Sequence, residues 1–277
     1  MSGGPGQGAR PAGVWDYISP SRLNLWLRCP LAFRLKYVDG VPTPATPAAF
    51  IGKMVHRGLE KYYRQRLLGS VLPICDVTAS VQEDWEGAAA RERVSFVNRN
   101  DEESSRAQTI DLLRAYLRSV PADEPPPLAV EAAVEAPLVD PMTGEDFGLP
   151  LVGVIDLVLN GASNSNGPSI VDYKTAARYS EQAEIHHELQ LTSYAYLFRD
   201  AHRIPEASLE IRLLVKTKTP QVHTLVFPAR SGGHFRRLFA VIGAYLEDLS
   251  AGRFVYRPGL ACGMCSFRET HCRAWLQ

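Results

Sequence analysis

The sequence predicts an α/β fold: one core of strands and helices with a helical insertion. Two observations carry this. Helical patterns dominate the ordered part of the first 120 residues, and strand patterns begin near Leu128 and alternate with two further helices. A third is negative: no internal repeat and no Gly/Pro/Ser-rich linker divides the chain.

The elements follow in order. The lead "MSGGPGQGARPAG" has no apolar stretch, so a flexible segment is expected, and no secretory signal. Ser19 reads as an N-cap with Pro20 at the first helical position. A helix is expected over 21–38, kinked or split at Pro30 because proline lacks the amide donor. "DGVPTPATPAA" (39–49) is a loop. "FIGKMVHRGLEKYYRQRLL" (50–68) repeats apolar residues at helical spacing. Region 70–127 is expected to hold an acidic helix and then the helix "RAQTIDLLRAYLRSV" (106–120), stopped by Pro121. Strands are expected from Leu128, over 149–160 and over 169–176, the last two joined by the polar turn 161–168. A helix (182–200), strands (209–217 and 222–227) and an amphipathic helix (233–252) complete the core before a cysteine-rich tail.

Composition sets outer limits. Apolar content is 45% and charged content 22%, the range of an ordinary globular protein, and no apolar run is long enough to span a membrane. A cytoplasmic location is therefore expected. Net charge is zero but segregated. Residues 1–66 carry ten Lys/Arg against three Asp/Glu, and residues 75–148 carry six against sixteen. The basic N-terminal part suits phosphates.

The acidic and basic residues of two neighbouring strands suggest chemistry. Asp172 and Lys174 in "VDYKT" lie two apart and share a strand face. Asp156 interrupts the apolar "LVGVIDLVL", where an uncompensated carboxylate is costly to bury. If the strands pair, both aspartates converge on one divalent ion, with Lys174 beside it. Oxygen ligands suit Mg²⁺ or Mn²⁺, and the set suits phosphodiester hydrolysis. The plainer reading is a buried Asp156–Lys174 salt bridge. His56, with Gly52 and Glu60 at four-residue steps, could be a further ligand or a core histidine. Gln190 and Tyr194 are i,i+4 partners able to offer an amide and a phenol. Arg57, Lys61 and Arg64 could hold a nucleic-acid backbone or form a solvated face. Glu131 and Glu135 are further acidic candidates.

Five cysteines and no secretion signal favour metal or cluster binding over disulfides. Cys262, Cys265 and Cys272 have the spacing C-x2-C-x6-C. A fourth ligand could be His271 or His234, giving zinc, or Cys29, giving four thiolates. Cys75 lies in the apolar "LPICDV", which favours burial.

The ordered set "GKMVHRGLE", "GVID", "DYK" and "QLTSY" resembles the PD-(D/E)xK nuclease superfamily, in particular RecB-like exonucleases of the Cas4 and AddB nuclease-domain type. The resemblance covers about Ser19 to Cys272. It implies a restriction-endonuclease-like core, a central mixed sheet flanked by helices. It implies His56, Asp156, Asp172 and the Tyr173 carbonyl as metal ligands for Mg²⁺ or Mn²⁺. Lys174 then looks like the catalytic lysine, with Asp156 and Asp172, and Gln190 with Tyr194 its supporting pair. "SPSRLNLWLRCPLAF" resembles the segment that supplies the first cysteine of a [4Fe-4S] cluster in such proteins. That implies Cys29, Cys262, Cys265 and Cys272 as cluster ligands joining the N- and C-terminal segments. Zinc is the alternative.

The implied organisation is a flexible lead (1–18) and a single nuclease domain (19–277). The domain comprises N-terminal helices (19–68), a mostly helical insertion (70–127), a catalytic core (128–252) and the cysteine-rich tail (253–277). The implied activity is a metal-dependent DNA exonuclease acting on single strands or duplex ends in repair or recombination. A CRISPR-adaptation nuclease and a non-cleaving DNA-binding or assembly subunit are alternatives. The implied partners are DNA, and a second copy or a helicase or nuclease subunit, since no GxxxxGK[ST] motor motif is present.

Overall fold

The computed structural model describes residues 13–161, 167–180 and 182–276. Most of the expected lead, and five residues of the expected 161–168 turn, lie outside them.

The N-terminal helix splits where proline dictates. α1 (Pro20–Arg28) is capped by the Ser19 hydroxyl, which accepts from Arg22 N–H at 3.4 Å. Cys29 is extended (φ −164°) and opens the short α2 (Pro30–Phe33), followed by a π-helical turn over Arg34–Val38. α3 (Pro47–Leu67) starts three residues before its apolar run, because Thr46 caps it from Ala49 N–H at 3.2 Å and Pro47 fits the first turn. α4 (Ile74–Arg91) precedes α5 (Arg99–Ser119), whose first two turns are polar. Those turns show no apolar periodicity; Asn98 starts them by accepting from Asp101 N–H at 3.0 Å.

The strands are β1 (Pro127–Val139), β2 (Asp146–Leu159), β3 (Ser169–Ala176), β4 (Ser208–Val215) and β5 (Gln221–Pro228). They form one sheet in the order β1-β2-β3-β4-β5. β2 pairs antiparallel with β3, β3 parallel with β4, and β4 antiparallel with β5. The parallel step is made by α6 (Ala183–His202), the crossover helix such a connection needs. α7 (Gly232–Ser250) and the short α8 (Arg273–Leu276) follow. Among the described residues, no helix is long and apolar enough to cross a membrane.

The chain forms two compact units, each from interleaved segments. One comprises Pro44–Val134 and Gly153–His234. Its core joins Met54, Leu59 and Tyr63 of α3, Trp85 of α4 and Leu113 of α5 to Leu157, Val171 and Leu214 of the sheet, all essentially without solvent exposure. α3 meets α5 closely at Gly58, where a Cβ would lie 2.7 Å from a Leu113 methyl.

The other unit comprises the described residues up to Thr43, Glu135–Val152 and those from Phe235 onward. Buried Ile18 bonds to Pro150 O at 2.9 Å and accepts from Val152 N–H at 2.8 Å. Trp26 and Phe33 pack edge-on against Tyr245. Leu31 N–H donates to Val255 O, and Arg257 donates to Leu27 O, so the tail is stitched to α1 and α2.

Candidate active site

All the acidic, basic and histidine residues singled out in "GKMVHRGLE", "GVID", "DYK" and "QLTSY" belong to the first of these units. The β2–β3 ladder pairs Leu157 with Val171, Val158 with Ile170 and Leu159 with Ser169. Just beyond it a side chain takes over: Asp156 Oδ2 accepts Tyr173 N–H at 2.8 Å. The Tyr173 carbonyl lies 3.1 Å from His56 Nε2, which donates to it. That leaves His56 Nδ1 facing Asp156 Oδ2 at 3.7 Å and Glu131 Oε1 at 3.8 Å.

His56, Glu131 and Asp156 place one ligand atom each within 4.8 Å of one another. Among the described residues this is the set with metal-site convergence. Glu131 belongs to it by an unusual backbone: its φ is +46° in mid-strand, a left-handed conformation that breaks the alternation of β1. Glu135 is exposed and takes no part.

Asp172 lies beside this set rather than inside it. It is fully buried, and Lys174 Nζ donates to its Oδ1 at 2.7 Å. Its Oδ2 lies 2.6 Å from the same nitrogen but has no hydrogen-bond partner of good geometry. Lys174 thus pairs with Asp172, two residues away on the same strand face, and not with Asp156.

The electrostatics follow from burial and crowding. Burial, and then the charge of Asp172, push the Asp156 carboxyl up to about 7, against the pull of His56 and Lys174. Burial alone would lower the His56 pKa, but the neighbouring Glu131 and Asp156 carboxylates raise it overall. Such repulsion and orphaned carboxylate capacity are what a divalent cation relieves, and the donor set of carboxylates with one imidazole suits Mn²⁺ or Mg²⁺.

α6 supplies the other wall. Gln190 Nε2 donates to the Tyr194 hydroxyl at 2.7 Å. Burial, then Asp172 and Asp156, raise the Tyr194 pKa, so the phenol stays neutral. The helix packs closely because position 153 has no side chain: a Cβ there would meet Leu197 Cδ1 at 2.8 Å and Tyr194 at 3.4 Å. Sequence reading missed His187. It lies three residues before Gln190 and seven before Tyr194, the spacing of one helix face. Burial and then the charge of Lys174 lower its pKa to about 4.

In front of His56 and Glu131 lies an open hollow lined by Gly52, Lys53, Arg57, Glu60, Lys174 and Thr175. Arg57 is half-exposed there, 3.9 Å from Asp84, while Lys61 is exposed and Arg64 is held by Glu60 at 2.7 Å. Lys53 and Thr175 were not singled out in the sequence.

The cysteines lie in the other unit, except Cys75. All five are free thiols. Cys29, Cys262, Cys265 and Cys272 line one pocket with Arg28, Arg257, Arg268, Phe267 and Trp275. No three of these thiols come as close together as the His56 set does. His271 contacts Thr270 and His234 contacts Ser231, and neither lines the pocket. Cys75 is exposed, contrary to the burial its apolar neighbours suggested, because it falls in the first turn of α4 with Sγ toward the Asp76 carboxylate.

The family model of the PD-(D/E)XK nuclease superfamily matches residues 17–273. The chain belongs to this superfamily. The sheet and its helices are its restriction-endonuclease-like core, and the His56–Glu131–Asp156 set is a candidate metal site of a nuclease-type enzyme. No curated protein matches the chain. Among solved structures, "Putative exonuclease" from Eubacterium rectale aligns at 11% identity and TM-score 0.51, covering 90% of this chain and 87% of that one. The crystal structure of SSO0001 aligns at 16% identity and TM-score 0.41, covering 79% of this chain and 97% of that one. At these identities the first likeness concerns the fold alone.

Proposed function

We propose that this protein is a divalent-metal-dependent DNA exonuclease of RecB-like type, acting on single strands or duplex ends in repair or recombination. The observation that carries it is the convergence of His56, Glu131 and Asp156 beside the buried Asp172–Lys174 pair. Mg²⁺ or Mn²⁺ bound to these carboxylates would polarise the scissile phosphate and acidify a water. The protein's own groups do the rest. Asp172 fixes the Lys174 ammonium, which stabilises charge growing on the phosphoryl oxygens or orients the nucleophile. Tyr194, neutral and anchored by Gln190, offers a hydrogen bond beside the carboxylates. Lys53, paired with Glu92, and Arg57, beside Asp84, line the hollow by which a backbone would approach, and would exchange these carboxylates for phosphates.

The test is digestion of 5′- and 3′-labelled single-stranded, duplex and closed circular DNA with Mg²⁺ or Mn²⁺. Metal-dependent loss of linear substrates from their ends, with circles spared, is expected. Binding to ends without any product would instead make this chain a non-cleaving subunit.

We further propose that Cys29, Cys262, Cys265 and Cys272 hold a [4Fe-4S] cluster with a structural role. Their shared pocket supports this, as do the three arginines lining it, which offset thiolate charge. A brown protein absorbing near 400 nm is expected; a colourless one with stoichiometric zinc would refute the cluster.

A further inference from the structure

We propose that the Tyr173 side chain is a positioning residue for the metal site, held by a buried network of Tyr63, Tyr116, Arg212 and Glu124. The inference rests on the metal-site reading above and extends it to side chains with no ligand role.

Tyr173 is the hub of the site. Its N–H is taken by Asp156 and its C=O by His56, so two of the three converging side chains are tied to one residue's peptide groups. Its ring lies edge-on to the His56 ring, 5.8 Å between centroids at 88°. Asp172 and Lys174 flank it and point away from its ring by strand alternation. Holding the ring therefore sets the rotation of β3 at three functional residues at once.

The ring is held firmly. Tyr63 stacks on it at 6.3 Å, and Tyr116 meets it edge-on at 5.5 Å. The Tyr116 hydroxyl lies 3.4 Å from the Tyr173 hydroxyl and accepts from Arg212 Nη1 at 2.7 Å. The Tyr63 hydroxyl donates to Glu124 at 3.0 Å, and Arg212 also bonds to Glu124 and Glu210. All are buried. Apolar side chains in place of the arginines and glutamates would fill the space without desolvating the Arg212–Glu124, Arg212–Glu210 and Arg66–Glu124 pairs. A satisfied polar network instead fixes one arrangement of the rings.

The test is Mn²⁺ binding by isothermal titration on the full chain, with melting curves. Variants are Tyr173→Leu, Tyr173→Phe and Tyr116→Phe, with Trp85→Leu as a control in the same core but away from the site. Tyr173→Leu should weaken Mn²⁺ binding about tenfold, as loss of a supporting residue does. Tyr173→Phe keeps the ring and should restore most of the affinity, while Tyr116→Phe should weaken binding by less. Trp85→Leu should lower the melting temperature yet leave Mn²⁺ affinity unchanged. Should Tyr173→Leu not fold, Tyr116→Phe, which removes one oxygen, decides. Wild-type affinity in the Tyr173→Leu and Tyr116→Phe proteins would overturn the proposal, as would equal weakening in Trp85→Leu. A wild-type protein that binds no Mn²⁺ would remove the metal-site reading itself, and this inference with it.

Discussion

Asp156 carries the clearest consequence at the scale of single residues. Its carboxyl, raised from 3.8 to about 7, keeps a proton in the folded chain that the unfolded chain releases. The native state then binds more protons between those values, so metal-free stability falls as pH rises through that window and levels above it. Asp156→Asn should remove this slope and be more stable than wild type in EDTA at about pH 8, with the gap closing toward about pH 4. Denaturant unfolding at both pH values checks it; an Asn protein less stable at the higher pH would contradict it. Glu131 offers a second case. A left-handed backbone at a residue with a Cβ costs about 1–2 kcal/mol, and glycine's extra chain entropy offsets about 0.5–1 of the relief. Glu131→Gly should therefore keep or slightly raise the melting temperature while weakening Mn²⁺ binding about tenfold. A lower melting temperature with unchanged binding would contradict that. Asp156, Asp172 and Lys174 were legible in the sequence because charge in an apolar strand is conspicuous. Glu131 was not. Perfect alternation puts Glu131 and Glu135 on one face, and only the local turn of the backbone separates them.

Among the elements, the fit of α6 against β2 matters most. Gly153 lets the helix bring Tyr194 close to the carboxylates. Gly153→Ala should push the helix outward and cost about 1–3 kcal/mol by overpacking, with a loss of cleavage larger than the loss of stability suggests. Thermal denaturation and a nuclease assay on one preparation check this; unaltered activity would show that the contact does not position Tyr194. Strand and helix order was legible from periodicity, and the β3–α6–β4 crossover follows from it. The start of α5 was not, because its first turns are polar, and its signals, the Asn98 cap and the acidic Asp101 and Glu102, lie in a stretch with no apolar periodicity. His187 escaped for a similar reason: "HH" in a polar helix start reads as surface until the facing strand is known.

For the whole molecule, the interleaving of segments is the feature sequence order conceals. The candidate metal site lies in one compact unit, and the four-cysteine pocket in the other, assembled from both ends of the chain. The family resemblance implied that Cys29 joins the tail, but no local pattern marks where β1 and β2 pass from one unit to the other. Cys29→Ala should lose iron and absorbance near 400 nm and lower the melting temperature. Full iron content would return Cys29 to an ordinary thiol. The most direct test of the central claim is Mn²⁺-dependent cleavage of end-labelled single-stranded DNA by wild type, Asp172→Asn and Lys174→Ala, each shown to be folded. Wild type should cut, and each variant should lose about 10²–10³-fold in rate. Cleavage at the wild-type rate by either folded variant would contradict the assignment of this site.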